Sequence, residues 1–418
     1  MTQFRLIWVF LLFVLMIACS GKDDQQAANT EAKADRSNPP VEKVVVGLLA
    51  PKTGVMGVHG ESMEMGAKVA ETVLNKRGGI NGKTVEVVVV DTQSDPAVTA
   101  QRARELIERK HVNLLLGTGL SSSTLAAIPI ATNANVPFIY SMDGEAKTCQ
   151  PGKPNEVSKL VWGAGFTERM IVRPFLSFLV EKILPKHAKS KVYFLGGDYV
   201  FPRATNQYAR SVAEAMGLKV VGEEYADVST TDYTPVIRRI MKSRADLLLV
   251  TNPGSAAVTF MRQAQQLGLS DKMIVSGFAT FAQEAVSGMG NASQGVYYAN
   301  RYSDLIDSPV NAAFVAEFRN IYPNQPLLPG PTVAAGGYGA LMVAAEAFQK
   351  AGSTDPAAFY KAMRGLEMDL PQGHVIVDPD NNIFQQPMYL LRVDKQKYIV
   401  LSDLGLQKHP GLEGCSVR

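Results

Sequence analysis

One alternation, repeated, constrains this chain more than any other feature. Short β-rich apolar runs stand at Val44-Val-Val-Gly-Leu-Leu-Ala50, at 85–90, at Leu114-Leu-Leu-Gly117 and at Val136-Pro-Phe-Ile-Tyr140. Between them lie segments of helical period, carrying Met63, Ala67, Ala70 and Leu74, then Ala103, Leu106 and Ile107, and a third helix over 124–133. After a transition at 161–166 the pattern restarts with a helix continuing over 175–184. Strands follow at 191–196, 219–225, 246–251, 272–276 and 295–300, separated by helices at 204–216, 233–242 and 256–267. Strand–helix–strand at this spacing makes a mostly parallel sheet. A chain of 418 residues is too long for one ordinary core, so two arrays mean two lobes. The remainder predicts helices at 311–322, 333–351 and 357–364, and paired strands at 373–378 and 387–393 about the turn Asp378-Pro-Asp-Asn-Asn382. A last strand at 397–401 precedes an extended tail. The run Ala334-Ala-Gly-Gly-Tyr-Gly-Ala340 suits close packing against another element.

Ligands of open α/β sheets lie beyond the carboxyl ends of the strands. Here the third strand ends in Gly117-Thr-Gly-Leu-Ser-Ser-Ser-Thr124 and the fourth in Ser141-Met-Asp-Gly144. Ser and Gly residues opening a helix put free N–H groups and hydroxyls at that edge. The competing reading is structural: Gly117 and Gly119 turn the chain and Ser121 caps a helix.

Composition narrows the function. Hydrophobic residues are 46% and charged residues 19%, a globular balance, and a net charge of +3 is nearly neutral over this length. With no basic stripe, nucleic-acid binding is not expected. His59, His111, His187, His374 and His409 are scattered, without metal-ligand spacing. Gly117-Thr-Gly-Leu-Ser-Ser lacks the lysine of a phosphate loop. No metal, no cofactor and no catalysis are therefore expected. Arg5 precedes an apolar run over 6–18 that ends at Cys19, too short to span a bilayer comfortably and suited to a secretory signal. Leu15-Met-Ile-Ala-Cys19 resembles the bacterial lipoprotein cleavage box, which implies a signal peptide over 1–18 and lipid on Cys19. A polar tether over 19–42 follows, and the folded part is expected in the periplasm or cell envelope. In such an oxidising compartment Cys149 and Cys415 are either a disulfide pair or two buried thiols.

The ordered set Gly47-Leu-Leu-Ala-Pro-Lys-Thr-Gly54, Asn75-Lys-Arg-Gly-Gly-Ile-Asn-Gly-Lys83, Asp91 with Ser94-Asp-Pro96, 117–124, and Pro137 with Ser141 carries a family resemblance. Gly197-Asp-Tyr-Val-Phe-Pro-Arg203, Tyr233-Thr-Pro-Val-Ile237 and 373–382 continue it in the second half. The chain resembles the periplasmic solute-binding proteins of ABC importers, in the branched-chain amino acid, amide and urea branch. The resemblance implies an α/β fold of two Rossmann-like lobes with parallel-sheet cores, three crossovers and a ligand cleft between the lobes. It places lobe 1 at 43–166 plus 301–372, lobe 2 at 167–300 plus 373–401, and the tail at 402–418. A monomer is expected, handing a small solute to ABC permease subunits while lipid holds it to the membrane. A ligand sensor reporting to a membrane partner is the alternative, and a purely structural envelope lipoprotein is a third.

By the same resemblance, Leu120, Ser121, Ser122, Ser141, Met142 and Asp143 face the ligand from the first lobe, and Tyr199, Asn252 and Phe278 from the second. Asp198 is expected to hold its loop by accepting backbone N–H bonds. Lys52, Thr53 and His59 sit on the rim, with Lys52 solvated. Amino acid binders of the family place an acid after the strand corresponding to 272–276. Here Gly277-Phe-Ala-Thr280 has none before Glu284. An ammonium buried without a counter-charge is costly. A standard branched-chain amino acid is therefore disfavoured unless Asp143 supplies the charge from the other lobe, and an unpaired Asp143 also discourages an anion. The expected solute is small, polar and neutral or cationic: an amide, urea or an amine-bearing, amino-acid-like molecule.

Overall fold

The computed structural model describes residues 42–141, 156–184, 190–252, 254–278, 280–281, 283–325, 332–409 and 416–417. Cys19, Met142, Asp143, Cys149 and Cys415 lie outside them. The first sheet has five parallel strands in the order Thr84–Asp91, Lys43–Ala50, Leu114–Gly117, Phe138–Tyr140, Val161–Gly163. Its apolar runs are uninterrupted because both faces are covered. Leu114 and Leu116 enter a core with Met63, Ala67 and Trp162, while Leu115 enters another with Ala103, Leu106 and Ala127.

The second sheet has nine strands, in the order Glu367–Leu370, Gly373–Val377, Phe384–Asp394, Tyr297–Asn300, Ile274–Phe278, Leu247–Thr251, Lys191–Gly197, Lys219–Ala226, with Lys397–Gln407 also paired to Phe384–Asp394. The strands from Lys191–Gly197 through Tyr297–Asn300 pair in parallel, and those from the last part of the chain add in antiparallel fashion. Leu195, Leu248 and Val250 pack on Phe260 and Met261 on one face; Phe194, Leu247 and Leu249 pack on Phe175 and Leu176 on the other.

The chain crosses between the lobes three times: after Val161–Gly163, after Tyr297–Asn300, and between Gly373–Val377 and Phe384–Asp394. The hairpin Glu367–Leu370/Gly373–Val377 is bonded to the second sheet, yet Leu370, Val375 and Val377 bury in the first lobe's core. The Gly163 N–H donates to the Asn382 carbonyl at 3.0 Å and Asn382 Nδ2 donates to the Val161 carbonyl at 3.1 Å. The first and third crossings are thus tied together.

Four expectations need correction. The helix expected over 333–351 is a π-helix at Thr332–Gly339 followed by an α-helix at Ala340–Ala351. The wide turn carries Gly337 against the backbone of helix Gly57–Lys76, where a Cβ at Gly337 would stand 2.2 Å from the Met63 carbonyl oxygen. The strand expected over 272–276 runs on to Phe278, and the last strand extends into the stretch read as tail, to Gln407. Finally, the Cys149–Cys415 disulfide is withdrawn, since the structure holds no disulfide among the described residues. Near the carboxyl terminus the chain is instead paired through its backbone, Ser416–Val417 running parallel to Glu156–Val157.

Candidate functional site

The helices that begin at the carboxyl ends of the two sheets face one another. Helix Ser121–Asn133 packs on helix Val200–Ala215, and helix Gly57–Lys76 on helix Gly254–Gln266. Gly254 comes so near the first lobe that a Cβ there would lie 2.5 Å from the Val55 carbonyl oxygen.

On the first lobe, helix Ser121–Asn133 starts one turn before the expected boundary, with Leu120 at its N-cap and no side-chain cap bond. Ser121 is therefore the first helical residue, and the capping reading fails. Its hydroxyl oxygen and that of Ser123 are buried without a hydrogen-bond partner among the described residues. Leu120 and Ser122 are partly exposed beside them. A buried hydroxyl with nothing to bond is costly, and the first N–H groups of an uncapped helix are unpaired too. Both are donors, and the helix dipole adds a partial positive charge at the same place.

The loop before this helix is strained. Thr118 has φ +84°, a conformation in which a β-branched residue is an outlier. Its hydroxyl meets that of Thr124 at 2.5 Å, which closes the loop onto the helix it opens. A Cβ at Gly119 would come within 2.3 Å of Pro51 Cγ, so this turn is pressed against the Pro51 loop. That loop is organised by Asp91, whose carboxylate accepts from the Thr53 hydroxyl at 2.7 Å and from the N–H groups of Thr53 and Gln93. Burial alone would raise the Asp91 carboxyl, but these bonds outweigh it and hold the carboxyl below its usual range. On the rim Lys52 pairs with Glu64 at 2.7 Å, and His59 is buried.

Ser141 is fully buried: its hydroxyl donates to Met63 Sδ at 3.3 Å and its carbonyl accepts from Arg301 Nη2 at 2.9 Å. In the second lobe Tyr199 caps helix Val200–Ala215 with extended backbone. Tyr199 is half-buried as a residue, and burial around its phenol pushes the hydroxyl well above its ordinary range. Asn252 is fully buried, its N–H on Thr280 Oγ1 at 3.1 Å and its Nδ2 donating to the Tyr233 hydroxyl at 3.4 Å. Asn252 Oδ1 has no donor among the described residues.

Two expectations for this lobe change. Phe278 closes the strand Ile274–Phe278 rather than opening a loop, so its side chain enters the core and meets Phe175 edge-on at 5.5 Å. Asp198 accepts from Arg203 Nε at 2.7 Å instead of from backbone N–H groups, and this bond holds its exposed carboxyl low. The other carboxylate at this edge, Asp227, accepts from the N–H and hydroxyl of Ser229. Among the described residues no cluster of three or more His, Cys, Asp or Glu is placed to hold a metal ion. Sequence reasoning missed Ser123, Thr118 and Arg301. Thr118 and Ser123 fell within the run 117–124 without being singled out, and Arg301 carried its own signal, a lone cation directly after the apolar strand at 295–300.

Residues 43–397 match the family model described as Periplasmic binding protein. The chain is 29% identical over 364 residues to "Leu/Ile/Val-binding protein homolog 6" of Brucella melitensis, covering 84% of this chain and 88% of that one. A solute binding protein of an ABC transporter from Rhodopseudomonas palustris BisB5, in complex with 3,4-dihydroxybenzoic acid, superposes with a TM-score of 0.79 at 26% identity. That match spans 88% of this chain and 99% of the other. A leucine binding protein from Thermotoga maritima shares the fold, with a TM-score of 0.75 at 22% identity, over 87% and 98% of the two chains.

Proposed function

Because the chain belongs to the periplasmic binding protein family, and so serves outside the cytoplasm as the solute-binding component of an ABC importer, we propose that its solute is a small carboxylate with an uncharged, planar body. The fold is one of binding and transport rather than catalysis. What supports the reading is the uncapped start of helix Ser121–Asn133, where the buried Ser121 hydroxyl lies beside the free N–H groups of the first turn. A carboxylate accepts from all of them and gains from the helix dipole. Branched-chain amino acids and 3,4-dihydroxybenzoic acid, for which these relatives are named or with which they were crystallised, share that group.

The body is assigned from the opposite lobe. An α-ammonium needs a carboxylate, and among the described residues at this edge Asp198 and Asp227 are engaged locally, while Asp143 lies outside the described residues. Tyr199 offers a ring face, and Asn252 Oδ1 an acceptor suited to a phenolic O–H. The same acceptor suits the N–H of an amide or urea, which is the second reading. Calorimetry of the purified protein with 4-hydroxybenzoate, L-leucine, acetamide and urea separates them. 4-Hydroxybenzoate is expected to bind at least about tenfold more tightly than L-leucine, the least that a buried unpaired ammonium costs. Ser121→Ala and Tyr199→Ala should each weaken it about tenfold, one lost charge-assisted bond or one lost ring contact. Exclusive binding of L-leucine or acetamide, or unchanged affinity in both variants, would reject the assignment.

For the anchor, the run ending Leu15-Met-Ile-Ala-Cys19 supports lipid attachment at Cys19. Radiolabelled palmitate should enter the wild-type protein in cells and not Cys19→Ser. Equal labelling of both would remove the anchor from this reading.

A further inference from the structure

Arg301 is a fully buried arginine on the second crossing between the lobes, the segment joining strand Tyr297–Asn300 to helix Pro309–Ile321. Its Nη1 donates to the Ala164 carbonyl at 2.8 Å, on the first crossing. Its Nη2 donates to the Ser141 carbonyl at 2.9 Å, at the end of strand Phe138–Tyr140. Gln386, on the strand that follows the third crossing, donates Nε2 to the same Ala164 carbonyl at 3.1 Å. The first two crossings and the strand that follows the third therefore meet at one carbonyl, and of these two donors Arg301 also reaches the ligand-side loop. The neighbourhood allows Ser141 little freedom, since a Cβ at Gly336 of the π-helix would stand 3.3 Å from its carbonyl oxygen. The Ser141 N–H donates to the Gly117 carbonyl, so Ser141 is tied in turn to the loop that opens helix Ser121–Asn133.

We propose that Arg301 is a positioning residue that joins the hinge to the ligand loop, holding Ser141 and Gly117 in the geometry that presents the helix start to the solute. The planar guanidinium reaches two carbonyls at once, on two different segments, which a lysine ammonium on a flexible stem does not reproduce. A rearrangement of the crossings on closure therefore moves the Ser141 carbonyl, and a solute gripped at the first-lobe loop restrains the crossings. This deepens the proposed function and rests on it for the identity of the gripped group, though not for the hinge geometry.

The test compares Arg301→Lys with Gln386→Leu in the purified protein. Gln386→Leu removes the other donor to Ala164 and leaves Ser141 untouched. Hydrogen–deuterium exchange without ligand reads the inference alone. Arg301→Lys should speed exchange about tenfold in both 136–141 and 160–166, the effect of one lost charge-assisted bond, and Gln386→Leu only in 160–166. In parallel, Arg301→Lys should weaken 4-hydroxybenzoate about tenfold while Gln386→Leu stays within about twofold. Wild-type exchange at 136–141 in Arg301→Lys would overturn the proposal. So would equal effects of the two variants, or a lysine variant that fails to fold beside a folded Gln386→Leu. If the wild-type protein binds no 4-hydroxybenzoate, the carboxylate assignment fails and the exchange comparison still decides the role of Arg301.

Discussion

Alanine at position 66 is expected to lower the stability of the protein by about 3 kcal/mol, the upper end of the range for overpacking a core. Gly66 lies at the centre of helix Gly57–Lys76, against the π-helix Thr332–Gly339. A Cβ there would stand 2.0 Å from the Val333 carbonyl oxygen and 2.8 Å from its carbon. On the facing element Gly337 makes the reciprocal approach to Met63. Both obstacles are backbone atoms, so no rotamer change relieves the clash, and the two helices must separate. Separation uncovers Met63, Ala67, Ala334 and Val343, which share the first lobe's larger core. The midpoint of urea unfolding, with the slope unchanged, reads the loss directly. A midpoint equal to wild type would mean that the two glycines are not what sets the helix spacing.

The second large effect falls on binding. Gly254→Asn should weaken the binding of 4-hydroxybenzoate by at least about tenfold, close to 1.4 kcal/mol taken from the closed state. Gly254 has φ +60°, which asparagine tolerates better than other side chains do, so the backbone is kept. Its Cβ nevertheless meets the Val55 carbonyl oxygen of the opposite lobe at 2.5 Å and props the lobes apart. Gly268→Asn is the control: φ is +70°, and the nearest atom to a Cβ is a flexible carboxylate oxygen of Asp271 at 3.5 Å. Its affinity should stay at the wild-type value. Equal affinities of the two variants would show that contact at Gly254 is not needed to hold the solute.

Much of the architecture was legible because periodicity is a local property. A run such as Leu114-Leu-Leu-Gly117 cannot satisfy both of its faces except between two layers, and two such arrays need two cores. The same grammar placed Ser121 and Tyr199 just beyond strand ends, since small and polar residues end strands, but the helices begin at Ser121 and Val200, earlier than the periodic starts at 124 and 204. Phe278 was misplaced because a strand end is settled by pairing, here with Leu247–Thr251 and Tyr297–Asn300, and not by its own residues. Asp198 was misjudged because a salt bridge five residues along competes with nearby N–H groups, and sequence does not weigh them.

What the chain determined alone is therefore most of the order of strands and helices, the restart near residue 167 and the chemistry offered at each strand end, whereas the strands Val161–Gly163 and Glu367–Leu370 were not legible in it. Which offers are taken up was decided in three dimensions. Ser121 left its hydroxyl unpartnered because Leu120 took the cap position, and Arg301 became a junction because segments 137 and 160 residues away were brought to its two nitrogens. Such bonds depend on long-range closure, to which a local pattern is blind.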